Sequence, residues 1–269
     1  MTQHLFDQAI ALTAQPDNHF SGHTSPAYAN MVGPFGGITA AQALNAVLQH
    51  PQLLGEPVSL TVNFAAALAD GPFDVVARPA RTNRSTQHWM VEFFQAGQTV
   101  LTATVFTATR RETWGLDDEP LPVVPPPDQV APPARQAPMP FVQRYELRPV
   151  TGDMPSVWDG SGSSSSLSQL WVRDNPPRPL DFAALSAMAD IFFPRVFIRR
   201  AKSVPVGTVT MTVYFHADSE QLKATGSGYL LAQARAQVFR NGYFDHTAQL
   251  WNEAGVLLAT THQIVYYKE

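Results

Sequence analysis

Two distant stretches of this 269-residue chain repeat one another, and the duplication limits the folds that are open to it. The segment VSLTVNF at 58–64 alternates polar and apolar residues, and VTMTVYF at 209–215 has the same pattern with the same Thr-Val-x-Phe ending. Alternation of this kind is typical of a strand with one buried face. The spacing between the copies is far longer than a solenoid repeat, so we expect two similar structural units in tandem.

Each copy continues into a predicted β-hairpin. The segment HWMVEFFQAGQTVLTATVF at 88–106 aligns with DHTAQLWNEAGVLLATTHQ at 245–263, and both contain an Ala-Gly pair at the turn. Two runs of β-forming residues around a short glycine turn predict two long antiparallel strands. In this alignment Gln263 corresponds to Phe106.

The pairing of Gln263 with Phe106 bears on function, because Gln263 is predicted to lie on a largely apolar strand face. A fold that accepts phenylalanine in one copy does not need glutamine in the other. A buried amide costs about 1–3 kcal/mol when it is left unpaired. Gln263 is therefore a candidate for holding a water or a substrate carbonyl, and the alternative is an amide satisfied by neighbouring backbone.

One helix is predicted ahead of the strands in each half. The first is GGITAAQALNAVLQ at 36–49, and the second is DFAALSAMADIFF at 181–193, with apolar residues three and four apart. Asp181 is placed to cap the second helix, and Pro194 is placed to end it. One helix and a run of antiparallel strands per half predict an α+β fold in which each sheet wraps its helix.

A proline-dense stretch at 115–138, which has no periodicity, separates the two halves. Such a composition is typical of a semi-extended connector. We therefore predict an N-terminal unit at 1–114 and a C-terminal unit at 139–269.

Composition excludes several classes of function. The formal charge is −4 with 18 Lys and Arg, so nucleic acid is not an expected partner. No signal sequence and no long apolar span is present, which predicts a cytoplasmic protein. There are no cysteines, the eight histidines are scattered singly, and nucleotide-binding, zinc-protease and serine-hydrolase motifs are absent. We expect neither a metal nor a cofactor.

One carboxylate stands out in the segment SAMADIFFP at 186–194. Asp190 has only small or apolar neighbours and no Lys or Arg within a helical turn. Burial would raise the pKa of this carboxyl toward neutrality, as a general base requires. The alternative is a surface aspartate at a frayed helix end.

A third polar candidate comes from GTVTMTVYF, where Thr208, Thr210 and Thr212 are predicted to share one strand face, so spacing does not choose among them.

These segments resemble the thioesterase superfamily in its double-hotdog form, typified by acyl-CoA thioesterase II. The resemblance covers nearly the whole chain and is carried by GPFGGITAAQALNAVL, LWVRDNPPRPLDFAALSAMADIFFPRVF, TVTMTVYFH and LLATTHQIVYY. It implies two tandem hotdog units, each a long helix wrapped by an antiparallel sheet. It also implies an enzyme of fatty acid metabolism that hydrolyses an acyl-CoA thioester to free acid and CoA without a cofactor.

The resemblance also assigns candidate catalytic residues in the C-terminal unit. The family's helix aspartate falls on Asp190, and its glutamine falls on Gln263. Its strand hydroxyl falls on Thr208 when the Tyr-Phe-His ending at 214–216 is the anchor, or on Thr210 if the register slips by two. As a hypothesis, Asp190 activates a water that the hydroxyl and the amide orient.

Gly36 and Gly37 are the predicted substrate-binding residues, because glycines at a helix N-terminus would allow close approach of backbone N–H groups to the thioester carbonyl.

Two other functions stay open. Hotdog hydratases have a histidine five residues after the aspartate, where this chain has Arg195. A non-catalytic acyl-CoA or lipid-binding protein is the second alternative. The sequence does not determine which acyl chain length the enzyme prefers or whether the acyl group is carried by CoA or by a carrier protein. It also leaves open whether exposed sheet edges pair with a second copy of the chain.

Overall fold

The computed structural model describes residues 3–133 and 138–269. Residues 1–2 of the predicted N-terminal unit and residues 134–137 of the predicted connector therefore lie outside the described residues. The division at 114 and 139 stays a prediction.

The described residues form five α-helices: α1 (Leu5–Ala9), α2 (Gly36–Leu48), α3 (Phe182–Met188), α4 (Arg195–Arg200) and α5 (Ser219–Thr225). Short 3-10 turns lie at Pro26–Tyr28, Pro127–Gln129 and Pro140–Arg144. The strands are β1 (Thr13–Ala14), β2 (His19–His23), β3 (Glu56–Phe64), β4 (Pro72–Thr82), β5 (Thr86–Gln95), β6 (Gln98–Ala108), β7 (Tyr145–Thr151), β8 (Ser168–Asp174), β9 (Val206–Phe215), β10 (Leu230–Arg235), β11 (Phe239–Arg240), β12 (Tyr243–Asn252) and β13 (Leu257–Tyr267).

All of these strands belong to one antiparallel sheet in the order β1-β2-β4-β5-β6-β3-β9-β13-β12-β10-β8-β7, with β11 paired to β12. The two predicted repeat strands lie within β3 and β9, which pair with each other and join the halves. Thr61 pairs with Thr212, its own counterpart in the repeat, and their hydroxyl oxygens are 3.0 Å apart. A residue that pairs with its own counterpart marks a pseudo-twofold axis, so the sheet confirms the predicted duplication.

Helices α2 and α3 pack against each other, and almost every residue of both is buried. Their contact is close because the residues are small. A Cβ added at Gly37 would lie 2.4 Å from the carbonyl oxygen of Ala187. The α+β prediction, with each half of the sheet wrapped around a helix, is thus confirmed.

The second helix is shorter than predicted. Asp181 caps it as expected, because its side chain accepts a hydrogen bond from the N–H of Ala184 at 2.8 Å. The helix ends at Met188 and does not continue to 193, since the amides of Asp190 and Ile191 bond carbonyls three residues back. This tightening is common at helix C-termini. Asp190 consequently lies in a turn just beyond the helix.

Strand β9 contains a β-bulge, which the alternation of its sequence does not reveal. Ile264 of β13 pairs with Thr210, and the next residue, Val265, pairs with Thr208, so Val209 is the extra residue. Because a bulge inserts one extra residue, the side chains beyond it lie on the opposite face of the sheet from the one that simple alternation predicts. The prediction that Thr208, Thr210 and Thr212 share one face is therefore wrong for Thr208.

The described part of the connector crosses the outer face of the C-terminal half of the sheet. The indole N–H of Trp171 donates to the carbonyl of Pro125 at 2.9 Å, and that of Trp251 donates to the carbonyl of Glu119 at 3.3 Å. Leu121 and Val124 pack against the hydrophobic cluster that contains both tryptophans. These contacts attach the connector to one unit.

Candidate active site

Asp190 lies where the C-terminus of α3 meets the first turn of α2. The backbone N–H of Gly37 donates a hydrogen bond to its carboxylate. A Cβ added at Gly36 would lie 2.7 Å from Oδ2 of Asp190. Both predicted substrate-binding glycines therefore lie against the predicted base, at a helix N-terminus whose first amides have no intrahelical partner.

Gln263 reaches the same carboxylate from strand β13. Its side chain is on the core face and is 3% exposed. Nε2 donates to Oδ1 of Asp190 at 2.9 Å and makes a longer contact of 3.5 Å to the carbonyl of Ala189. The amide links the sheet to the turn that carries the acid.

The bulge in β9 places Thr208 at the other end of this amide. Thr208 pairs with the buried Val265, and its hydroxyl donates to Oε1 of Gln263 at 3.4 Å. Thr210 pairs with Ile264 on the outer face of the sheet, away from the carboxylate. The hydrogen bonds therefore run from Thr208 to Gln263 to Asp190, and the local geometry favours Thr208 over Thr210.

Burial raises the pKa of Asp190 to about 7, while hydrogen bonds from Gln263 and the Gly37 N–H act in the opposite direction. Within residues 3–133 and 138–269 no cationic side chain forms an ion pair with this carboxylate. A carboxyl group of this kind is part ionised at neutral pH and can accept a proton there.

The described residues of the N-terminal half do not form this arrangement of acid, amide and hydroxyl. Met211 pairs with Gln263, and its counterpart Leu60 pairs with Val105, so the counterpart of Gln263 is Val105. The prediction that Gln263 corresponds to Phe106 was therefore wrong by one residue. The two hairpin segments have to be shifted by one residue before their Ala-Gly turns coincide. Thr208 corresponds to Pro57, which pairs across a bulge at the same place in β3. Valine and proline side chains offer no hydrogen bond to a carboxylate.

Comparison with protein families identifies the chain. The model described as the acyl-CoA thioesterase C-terminal domain matches residues 122–267, and the one described as the N-terminal domain matches residues 25–109. The chain belongs to the acyl-CoA thioesterase family. It is a thioester hydrolase with acyl-CoA as its substrate class. A comparison with individual curated proteins gave no match.

Solved structures confirm the double-hotdog fold of this thioesterase. A conserved protein of unknown function with a hotdog fold from Alicyclobacillus acidocaldarius is 46% identical with a TM-score of 0.94, and the match covers 100% of this chain and 99% of that one. An acyl-CoA thioesterase II from Mycobacterium marinum is 19% identical with a TM-score of 0.77, over 98% of each chain. The dehydratase domain of PpsC from Mycobacterium tuberculosis, in complex with C12:1-CoA, has a TM-score of 0.56 at 14% identity, over 97% and 99% of the two chains.

Arg195 of the thioesterase occupies the sequence position where hotdog hydratases have a histidine. Its guanidinium is fully buried and donates to the backbone carbonyls of Phe193 and Ser166 and to the hydroxyl of Ser168. These bonds direct Arg195 toward the loop before β8. It therefore supplies no proton-transfer partner to Asp190, which argues against hydratase chemistry.

No cluster of three or more His, Asp or Glu side chains in the described part of the thioesterase could hold a metal ion. None of its described helices combines the length and the apolar character needed to cross a membrane.

Substitution of Gly36 by alanine tests how closely α2 fits the acid. The added methyl group would lie 2.7 Å from Oδ2 of Asp190, so the carboxylate must move. We expect kcat/KM for an acyl-CoA to fall by about tenfold or more, because displacement of a reacting group by about 1 Å can cost a hundredfold. The free energy of unfolding should change little, since alanine favours helix formation. Gly115→Ala, where the Cβ meets open space, is the control and should retain full activity.

Proposed function

We propose that this enzyme hydrolyses an acyl-CoA to the free acid and CoA by general-base activation of water, with Asp190 as the base. The observation that carries the proposal is the continuous hydrogen-bonded arrangement of Thr208, Gln263 and Asp190, which ends on a buried carboxylate with a raised pKa. A water that bonds the Thr208 hydroxyl and the carboxylate would be oriented and deprotonated at one place.

The reaction then proceeds in two steps. Asp190 removes a proton from the water as its oxygen attacks the thioester carbonyl carbon, which gives a tetrahedral oxyanion. The N-terminus of α2 stabilises this charge, since its amides and dipole point at the site. The C–S bond breaks as the carbonyl re-forms, and the proton on Asp190 passes to the departing CoA sulfur. Gly36 and Gly37, the first two residues of α2, place their backbone amides at this helix N-terminus, and the amide of Gly37 donates to the carboxylate.

The proposal includes one active site per chain. Among the residues that the structure describes, the C-terminal half alone supplies an acid, an amide and a hydroxyl, while Val105 and Pro57 occupy two of the matching places in the N-terminal half. The N-terminal half contributes the α2 N-terminus with Gly36 and Gly37. Each unit therefore supplies part of the site, as expected of a duplicated fold in which one copy kept the chemistry.

Four further properties are proposed. We place the enzyme in the cytoplasm, since a chain without cysteines suits a reducing compartment. We also place it in fatty acid metabolism, as its membership of the acyl-CoA thioesterase family suggests. Strands β1 and β7 end the sheet, and pairing of such edges would give a homo-oligomer. The units at 1–114 and 139–269 remain the proposed hotdog domains.

The experiment that tests the function compares Thr208→Val with Thr210→Val. Release of thiol from a panel of acyl-CoAs is measured for both variants and for the unmodified enzyme. We expect Thr208→Val to lower kcat about 10- to 100-fold, because it removes one oriented hydrogen bond at the reacting centre. Thr210→Val should stay near the original activity, since Thr210 lies on the outer face.

Two results would contradict the proposal in different ways. Equal activity of the two variants would remove Thr208 from the mechanism. Binding of every acyl-CoA in the panel without thiol release by the unmodified protein would favour the alternative, a non-catalytic acyl-CoA-binding hotdog protein.

A further inference from the structure

His246 lies beside the proposed catalytic amide. It is on β12 directly opposite Gln263, and cross-strand neighbours of this kind have Cβ atoms about 4.5–5.5 Å apart. Its side chain is 3% exposed, and Nε2 is buried with no hydrogen-bond partner among the described residues. An unpaired buried nitrogen costs about 1–3 kcal/mol. The proposed mechanism does not use this group.

Thr261 adds a second unpartnered group to the same surface. It precedes Gln263 by two residues on β13, so both side chains point to the core face. Thr261 is 3% exposed, and its hydroxyl also has no partner in the described part of the chain. His246 and Thr261 therefore extend the polar surface of Gln263 along the inner side of the sheet.

The duplicated half shows that the fold does not require polar residues at these places. Trp89 lies opposite Val105 just as His246 lies opposite Gln263, and Ala103 precedes Val105 as Thr261 precedes Gln263. All three N-terminal counterparts are buried and pack in the apolar core. The C-terminal half thus carries two unpaired polar groups where its sister copy packs apolar side chains.

The surroundings of His246 limit what it can bind. Phe192, two residues after Asp190, packs edge-on against the imidazole with ring centres 5.0 Å apart. Burial lowers the pKa of His246 far below its usual range, and nearby Arg195 and His262 act in the same direction. A neutral imidazole presents one N–H donor and one acceptor, and a threonine hydroxyl can act as either. A neutral group that both donates and accepts, namely a hydroxyl, matches this pair better than an ion does.

We propose that His246 and Thr261 bind a hydroxyl group carried by the acyl chain of the substrate. The enzyme then favours hydroxylated acyl-CoAs over unsubstituted acyl-CoAs of the same length. The inference rests on the proposed function, because it places the acyl chain on the inner face of β12 and β13 next to Asp190. Water could supply the same hydroxyl chemistry, and the substrate comparison distinguishes the two sources.

The test uses pairs of acyl-CoAs that differ by one hydroxyl, placed at successive carbons of the chain. For at least one position the unmodified enzyme should show a kcat/KM about tenfold or more above that of the unsubstituted partner, because a site built to bond a hydroxyl discriminates against its absence. His246→Phe and Thr261→Val should each bring this ratio toward one. His246→Gln, which keeps a donor and an acceptor, should restore part of it.

His262→Phe is the matched control, because His262 directly follows Thr261 on β13. Its side chain is 57% exposed, so this variant should keep the preference of the unmodified enzyme. A ratio near one for every hydroxyl position in the unmodified enzyme, or a ratio that stays high in folded His246→Phe and Thr261→Val, would overturn the proposal and leave water as the occupant.

A binding measurement separates failure of this inference from failure of the proposed function. Calorimetric titration of Asp190→Asn with the same acyl-CoA pairs needs no turnover and should show tighter binding of the hydroxylated member. If the unmodified enzyme released thiol from none of the substrates, the proposed function would be contradicted, and the calorimetric ratio would still decide whether His246 and Thr261 bind the hydroxyl.

Discussion

Asp190→Asn is expected to lower turnover of acyl-CoA by about 100- to 10,000-fold, the range over which general-base catalysis contributes. Asparagine keeps the size of the side chain and its acceptor oxygen, so the hydrogen bonds from Gln263 and Gly37 can persist. It cannot take a proton from water. The measurement is thiol release at saturating substrate by the purified variant.

The pH dependence of the unmodified enzyme checks the same assignment. The base must be ionised, and burial raises the pKa of Asp190 to about 7. We expect kcat/KM to fall about tenfold per pH unit below 7 and to reach a plateau above it. The residual activity of Asp190→Asn should lack this inflection. A profile that is flat between pH 5 and 8 in the unmodified enzyme would contradict the role of Asp190.

Stability measurements separate loss of the base from loss of the fold. The pKa of Asp190 is higher in the folded state than the ordinary value of 3.8, so the folded state binds more protons between pH 4 and 7. The free energy of unfolding that this group contributes is therefore fully present below pH 4, falls as the pH rises from 4 to 7, and is lost above 7. Asp190→Asn should unfold at a higher temperature than the unmodified enzyme at pH 8. An inactive variant with a lower unfolding temperature would point to misfolding.

The duplication was predictable from sequence because it rests on local patterns. Alternation in the segments at 58–64 and 209–215 reports which strand faces are buried, and both strands formed as expected. The capping of α3 by Asp181 is equally local, since it depends on one side chain and an amide three residues away. Such features need no knowledge of what packs against the segment.

The details of the site depended on tertiary contacts that no local pattern reports. The bulge at Val209 moves Thr208 to the core face, although the alternation of β9 predicts that it shares a face with Thr210. The contact between Gly36 and Asp190 joins residues in different halves of the chain. Sequence analysis also missed His246 and Thr261. Aligning the two strands of each hairpin separately, which pairs His246 with Trp89 and Thr261 with Ala103, could have identified them.

A second buried acid should control the stability of the protein. Asp174, at the end of β8, is 2% exposed, and neither carboxylate oxygen has a hydrogen-bond partner in the described residues. Tyr145 pairs with it across β7 and β8, and the ring of Tyr28 lies 6.4 Å from that of Tyr145. Both phenol hydroxyls are also buried without partners within the described chain. Three unpaired polar side chains thus meet in one part of the core.

Ionisation of Asp174 is opposed by this environment. Burial raises its pKa to about 7, Arg178 acts in the opposite direction, and Asp181 and Asp7 add to the increase. The folded state therefore holds a proton on Asp174 that the unfolded state releases near pH 4. The free energy of unfolding therefore decreases as the pH rises from 4 to 7, and the full decrease is present above pH 7.

Asp174→Asn removes this cost and is expected to stabilise the fold. Asparagine stays neutral at every pH and can donate to a phenol oxygen, which a carboxylate cannot do. The gain in the free energy of unfolding should be larger at pH 8 than at pH 5 by about 2 kcal/mol or more, since each pKa unit corresponds to about 1.4 kcal/mol. Urea unfolding of the variant and the unmodified protein at both pH values measures it.

The exposed Asp70 provides the control for this change of charge, and Asp70→Asn should alter stability by less than about 0.5 kcal/mol at either pH. Destabilisation by Asp174→Asn at pH 8 would mean that the carboxylate is bonded as an anion in the folded protein. An equal gain at pH 5 and pH 8 would mean that Asp174 does not titrate between them. Either result would remove the buried carboxyl as the source of the pH dependence, whereas the expected difference ties that dependence to one carboxyl group outside the proposed catalytic residues.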